Sequence, residues 1–102
     1  MATPESKVKA KITRLLKQHG VWYTMPIQRG FSKPGVPDYL CLKDGLFFTI
    51  EAKAGKNKPT VAQELEMKAI RENGGVTWVV NEDTLGGLAA WLNAITGGNT
   101  DA

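Results

Sequence analysis

Asp38, Glu51 and Lys53 are the residues of this chain whose types and spacing could do chemistry. Glu51 and Lys53 are two positions apart, so on a β-strand they share a face. Asp38 stands just before the apolar run Tyr39 to Leu42. Glu51 stands just after a second run, Leu46 to Ile50. Between the runs lies Lys43-Asp44-Gly45, a turn signal, and the whole reads as a β-hairpin. In a hairpin the start of one strand lies beside the end of the next, so the three charges should meet at the open end. Two carboxylates at one point make an all-oxygen site for a hard cation, Mg2+ or in its place Mn2+, which also takes waters and substrate phosphate. A lysine beside them can orient a water or neutralise charge that builds up on a phosphate. The combination fits phosphodiester hydrolysis. The plainer reading makes Pro37-Asp38 a turn-to-strand junction and Glu51 with Lys53 an exposed ladder of opposite charges. Convergence of all three at one sheet end favours the chemical reading.

The elements that must position these groups are legible in the rest of the chain. Thr3-Pro4-Glu5 starts a helix, with Thr3 as N-cap and Pro4 in the first helical position. Val8, Ile12, Leu15, Leu16 and His19 recur at helical spacing, and Gly20 stops the helix. Lys7, Lys11 and Arg14 share another, basic face. Glu5 projects toward the apolar side, where a carboxylate needs a partner. It either serves the helix dipole and an i,i+4 pair with Lys9, or joins the acidic group. Val21 to Ile27 is predicted as a first strand that Pro26 marks as an edge or an end. A loop from Gln28 to Pro37 precedes the hairpin. After Lys53 a polar stretch to Pro59 carries Lys56 and Lys58, either a solvated connector or a phosphate-contacting loop. Thr60 with Gln63 predicts a capping box for a second helix to about Asn73, with Leu65, Ala69 and Ile70 as buried candidates. Val76 to Val80 is a further strand. A last helix over about 84–95 carries Leu88, Trp91, Leu92 and Ile95 on one face.

The order α-β-β-β-α-β-α predicts an α/β (α+β) layer, a mixed sheet flanked by helices. The link from Lys53 through the second helix to Val76 is a crossover, so those two strands should be parallel neighbours. With 102 residues and 42% hydrophobic content the chain suits one small domain that folds without staples. Its one cysteine, Cys41, excludes an internal disulfide and a cysteine-based metal site, and its place between Leu40 and Leu42 predicts burial. No apolar run approaches a membrane span and no signal-peptide core is evident, so a cytoplasmic protein without membrane contact is expected, in the host cytoplasm if viral. A net charge of +3 permits a nucleic-acid partner without demanding one. His19, the single histidine, sits at the end of an apolar helix face and suits packing or capping. Trp22, Trp78 and Trp91 lie in apolar segments and suit core or interface roles.

Gly35-Val36-Pro37-Asp38 followed by Glu51-Ala52-Lys53 resembles the PD-(D/E)xK nuclease signature, and most of all the virus-type replication-repair nuclease group, the VRR-Nuc domain. The early Glu5, the Gly-x-Pro-Asp strand start, the Glu-x-Lys strand end and the helix carrying Gln63 follow in the same order over nearly the whole chain. The resemblance implies a restriction-endonuclease-like core over residues 1–96, and the polar, glycine-containing residues 97–102 are expected to be a disordered tail. It implies that Asp38 and Glu51 are metal ligands and that Lys53 is the catalytic lysine. Glu5 would complete the acidic cluster directly or through water, the Ala52 carbonyl would serve as a further ligand, and Gln63 would reach the site from the second helix. Ser32, Arg29 and Lys33, in the loop before the motif, are further phosphate-contact candidates beside Lys7, Lys11, Arg14, Lys56 and Lys58.

The expected activity is a Mg/Mn-dependent, structure-specific DNA endonuclease, acting as a homodimer on branched DNA such as Holliday junctions or flaps. A non-catalytic nucleic-acid-binding module on the same fold is one alternative, but it has no chemical need for Asp38, Glu51 and Lys53 together. A restriction-type endonuclease is another, but it needs more chain for reading bases in the grooves than this sequence carries.

Overall fold

A two-residue turn sets the register on which the architecture rests. Asp44 and Gly45 both have positive φ, 51° and 83°, as a tight type I′ hairpin turn requires. The turn joins β2 (Tyr39–Lys43) to β3 (Leu46–Ala52), pairing Lys43 with Leu46 and Tyr39 with Ile50. The computed structural model describes residues 2–27 and 33–97. Within them the elements run α1 (Pro4–Gln18), β1 (Trp22–Thr24), β2, β3, α2 (Val61–Glu72), β4 (Val76–Val80) and α3 (Leu85–Ile95). The sheet order is β1-β2-β3-β4, antiparallel except for the parallel pair β3–β4. This is the mixed sheet expected, with the crossover strands as direct neighbours.

Alternation along the strands divides the sheet into two faces. Tyr39, Cys41, Phe48, Ile50, Ala52 and Val80 turn to one side and form the core with Val8, Ile12 and Leu16 of α1 and Leu88 and Leu92 of α3. Phe48 meets the edge of Trp91 with ring centroids 4.9 Å apart, and Trp78 lies 5.6 Å from the same ring. Cys41 is buried here, and burial pushes its thiol pKa up to about 12, so it acts as a small apolar side chain. Thr49 and Glu51 turn to the opposite side, under α2.

The helix ends follow the sequence. Thr3 accepts from the Ser6 amide, and the His19 ring nitrogen Nδ1 lies 2.9 Å from the Leu15 carbonyl, a C-terminal cap. Three expectations need correction. The first strand shortens from Val21–Ile27 to Trp22–Thr24, because Pro26 cannot donate to the ladder. Trp22 is 60% exposed, beside Leu42 and Phe47 on the face that α2 leaves open over β1 and β2. On α2, Leu65 is 60% exposed and Ala69 is also exposed, while Met67 is the buried residue. The loop residues Arg29 and Ser32, and all of the expected tail but Gly97, lie outside the described residues.

The helical phase of α2 is set where the chain before β2 docks against it. Gly35 has φ +82°, and a Cβ there would run into the Ala62 carbonyl and come within 2.9 Å of the Gln63 amide nitrogen. Only glycine satisfies both the left-handed backbone and this close approach. Gly35→Ala should therefore destabilise the protein by about 2–4 kcal/mol. Urea unfolding checks this, and a change under about 0.5 kcal/mol would show that the docking does not fix α2.

Candidate active site

The hairpin register that pairs Tyr39 with Ile50 brings Asp38 opposite Glu51, one step beyond the last strand pair. Side chains continue the ladder from there. The Asp38 amide donates to Glu51 Oε1 at 3.3 Å, and the Ala52 amide donates to Asp38 Oδ2 at 2.9 Å. Each carboxylate thus accepts a backbone N–H from the other's strand. The Ala52 carbonyl leaves the extended strand on the same edge as its N–H, toward Asp38.

The helices bring in the remaining groups. Gln63 Nε2 donates to Glu51 Oε2 at 2.8 Å, while Gln63 Oε1 accepts from the Thr60 amide at 2.8 Å. Gln63 therefore closes the capping box and reaches the site with the two ends of one amide. Lys53 Nζ lies 3.5 Å from Glu51 Oε2. Lys9 Nζ lies 3.6 Å from Asp38 Oδ1 and 3.5 Å from Glu5 Oε2. Glu5 thus meets the site through Lys9 rather than beside the carboxylate pair. The i,i+4 spacing of Glu5 and Lys9 was a signal that Lys9 also faces the sheet, since residues four apart lie on one side of a helix. The α1 helix is held in this position by Tyr39, whose hydroxyl donates to the Lys9 carbonyl at 2.9 Å and lies 2.8 Å from Thr13 Oγ1.

With every group ionised, Glu5, Asp38 and Glu51 would outnumber Lys9 and Lys53 by one charge. Glu51 is only 3% exposed. Burial and then the neighbouring Asp38 push its pKa up from 4.5 to about 7, against the opposing pull of Lys53 and the Asp38 N–H. Two carboxylates so placed, with a backbone carbonyl on the same edge, fit a divalent cation that takes one or two carboxylates and keeps several waters. Among the described residues no group of three or more His, Cys, Asp or Glu side chains converges in a way that could hold a metal.

The basic candidates divide. Lys7, Lys11 and Arg14 are exposed on α1, and Lys56 and Lys58 are exposed in the loop after Lys53. Lys33 is instead bound to Glu66 of α2 at 3.1 Å, so its charge is already matched. Both residues also line an open cavity of about 460 Å³, together with Phe47, Ile70 and the glycines of the hairpin turn and the end of α2. It holds none of the residues of the carboxylate cluster. Sequence reasoning read Lys9 only as a partner for Glu5, and it passed over Asn81 and Glu82, which hold the loop after Lys53 from the far side. Glu82 Oε1 accepts from the Gly55 amide at 2.9 Å, and Asn81 Nδ2 donates to the Gly55 carbonyl at 3.3 Å. Neither residue falls in a motif or a periodic pattern.

No protein-family model and no curated protein matches the sequence. A solved structure described as a VRR_NUC domain does match the fold, with a TM-score of 0.69 and 25% sequence identity. The match covers 85% of this chain and 95% of that one.

The raised pKa of Glu51 fixes a sign. Between pH 4.5 and about 7 the folded chain holds a proton on Glu51 that the unfolded chain releases, so stability from this group falls as pH rises through that window. In chelator, the wild type should lose roughly 1–3 kcal/mol relative to Glu51→Gln between pH 5 and pH 8. Parallel denaturation curves at the two pH values check this, and equal pH dependence in both proteins would contradict it.

Proposed function

We propose that this chain, whose fold matches that of a VRR_NUC domain, is a nuclease acting on DNA, and more closely a metal-dependent, structure-specific endonuclease. The observation that carries this reading is the reciprocal bonding of Asp38 and the Glu51-Ala52 segment, with Lys53 and Gln63 on the same carboxylate. Asp38, Glu51 and the Ala52 carbonyl would hold Mg2+ or Mn2+, which when bound supplies a Lewis acid for the phosphate and lowers the pKa of water. Lys53 carries its ammonium beside the carboxylate pair, where it can orient a water or balance charge on the phosphate as the bond breaks. Gln63 holds Glu51 in one rotamer through an amide that the capping box has already fixed. Lys9 holds Asp38 from the other side and ties Glu5 to it as an outer acid.

Branched DNA as the preferred substrate and action as a homodimer belong to the same proposal. Two copies would offer two cleavage sites to a junction. The exposed row of Trp22, Leu42 and Phe47 is an apolar surface that self-association could bury.

The test is a panel of four-way junctions, flaps and linear duplexes assayed with Mg2+, Mn2+ and chelator. Cleavage should require the metal and prefer a branched substrate. Lys53→Met and Asp38→Ala should each lower the rate by about 10²-fold or more while leaving the circular dichroism unchanged. Activity in those variants equal to wild type would remove the assignment, and binding without cleavage by the wild type would favour a non-catalytic module.

The metal proposal has a readout apart from turnover. Mg2+ or Mn2+ should raise the melting temperature of the wild type by mass action, and Asp38→Ala should abolish that rise. Light scattering should find a dimer at working concentration, and a strict monomer would remove that part of the proposal.

A further inference from the structure

Strands β3 and β4 are parallel neighbours, so they leave the sheet at the same end, beside the carboxylate pair. Their last rung is the Lys53 amide donating to the Val80 carbonyl at 2.9 Å. The two chains then separate into loops that are latched back together. Both backbone groups of Gly55 are taken by consecutive side chains of the other loop, the N–H by Glu82 and the carbonyl by Asn81. The Gly55 turn is closed on itself by the Asn57 amide, which donates to the Ala54 carbonyl at 3.1 Å.

The other half of the latch is equally held. Asn81 Oδ1 accepts from the Asp83 and Thr84 amides at 2.8 and 3.1 Å, and the Asn81 amide donates to Thr84 Oγ1 at 2.9 Å. The Gly55 amide, first, and then the Glu82 amide hold the Glu82 carboxyl below the usual carboxylate range, with a further contribution from Lys11. Lys56 and Lys58 are exposed and form no ion pair among the described residues.

We propose that Asn81 and Glu82 are positioning residues that fix the Gly55 turn, so that Lys56 and Lys58 form one track for the phosphates of a nucleic-acid strand passing the carboxylate pair. The inference rests on the nuclease reading and adds to it the residues that orient the backbone contacts. An acid beside such a track is unfavourable for phosphate binding by charge alone. Glu82 is useful there because it holds the turn, and this opposition of signs makes the idea testable.

The experiment uses the full chain carrying Lys53→Met, so that binding is measured without cleavage. Fluorescence anisotropy follows a labelled four-way junction and a labelled duplex across a salt series. Glu82→Ala removes the acid and the latch together, and it should weaken binding by about five- to tenfold and flatten the salt slope by about one to two phosphate contacts. Glu82→Gln keeps an acceptor for Gly55 and should bind within about twofold of the parent. In a Lys56→Ala/Lys58→Ala background, Glu82→Ala should add almost nothing. Unchanged or tighter binding by Glu82→Ala, or a full loss that persists without the two lysines, would overturn the proposal while leaving the nuclease reading in place. Failure of the parent to bind either DNA at low salt would instead overturn the nuclease reading, and this proposal with it.

Discussion

The carboxylate end of the sheet depends on one reciprocal pair of hydrogen bonds. The Asp38 amide bonds to the Glu51 carboxylate, and the Ala52 amide, next to Glu51, bonds to the Asp38 carboxylate. Where the backbone ladder of the hairpin stops, the two acidic side chains carry it one step further. This places two like charges together at a partly buried strand end, an arrangement that repulsion and desolvation oppose. It persists because each acid accepts an N–H from the opposite strand, and because both helices reach in from outside the hairpin. Gln63 arrives on α2 and Lys9 on α1, one on each carboxylate.

The supports are themselves held in place by groups with no role in chemistry. Gly35 lets the chain lie against the first turn of α2, which aims Gln63 at Glu51. The Tyr39 hydroxyl grips the Lys9 carbonyl from inside the core. The residue after the first acid therefore serves to orient the helix that balances that acid. Packing on one face of the sheet and charge on the other are linked through adjacent positions of a single strand.

Much of this was legible in the sequence because it is written in short-range patterns. The Asp44-Gly45 turn fixed the hairpin register, and the register alone brought Asp38 opposite Glu51. The starts of the first two helices were readable from Thr3 and from Thr60 with Gln63, since caps involve residues only three apart. What was missed depends on tertiary placement. Leu65 looked like a core residue by type, but the docking of Gly35 and the demand for Gln63 at Glu51 turned that side of α2 outward. Lys9 was visible only as a partner for Glu5, because its second partner lies on a strand far along the chain. Asn81 and Glu82 carry no local signature, since their function is to bond a loop 26 and 27 residues away.

The tight hairpin also orders the events of folding. Asp38 and Glu51 are 13 positions apart, joined by two strands and a two-residue turn. Such a hairpin closes in about 1–10 μs, before the crossover through α2 can deliver Gln63 or β4 can join the sheet. The two acids meet early, while water still solvates them. Their mutual repulsion becomes costly only when the helices dock and exclude that water. The electrostatic strain of the site therefore belongs to the last stage of assembly, and relieving it slows unfolding more than it speeds folding.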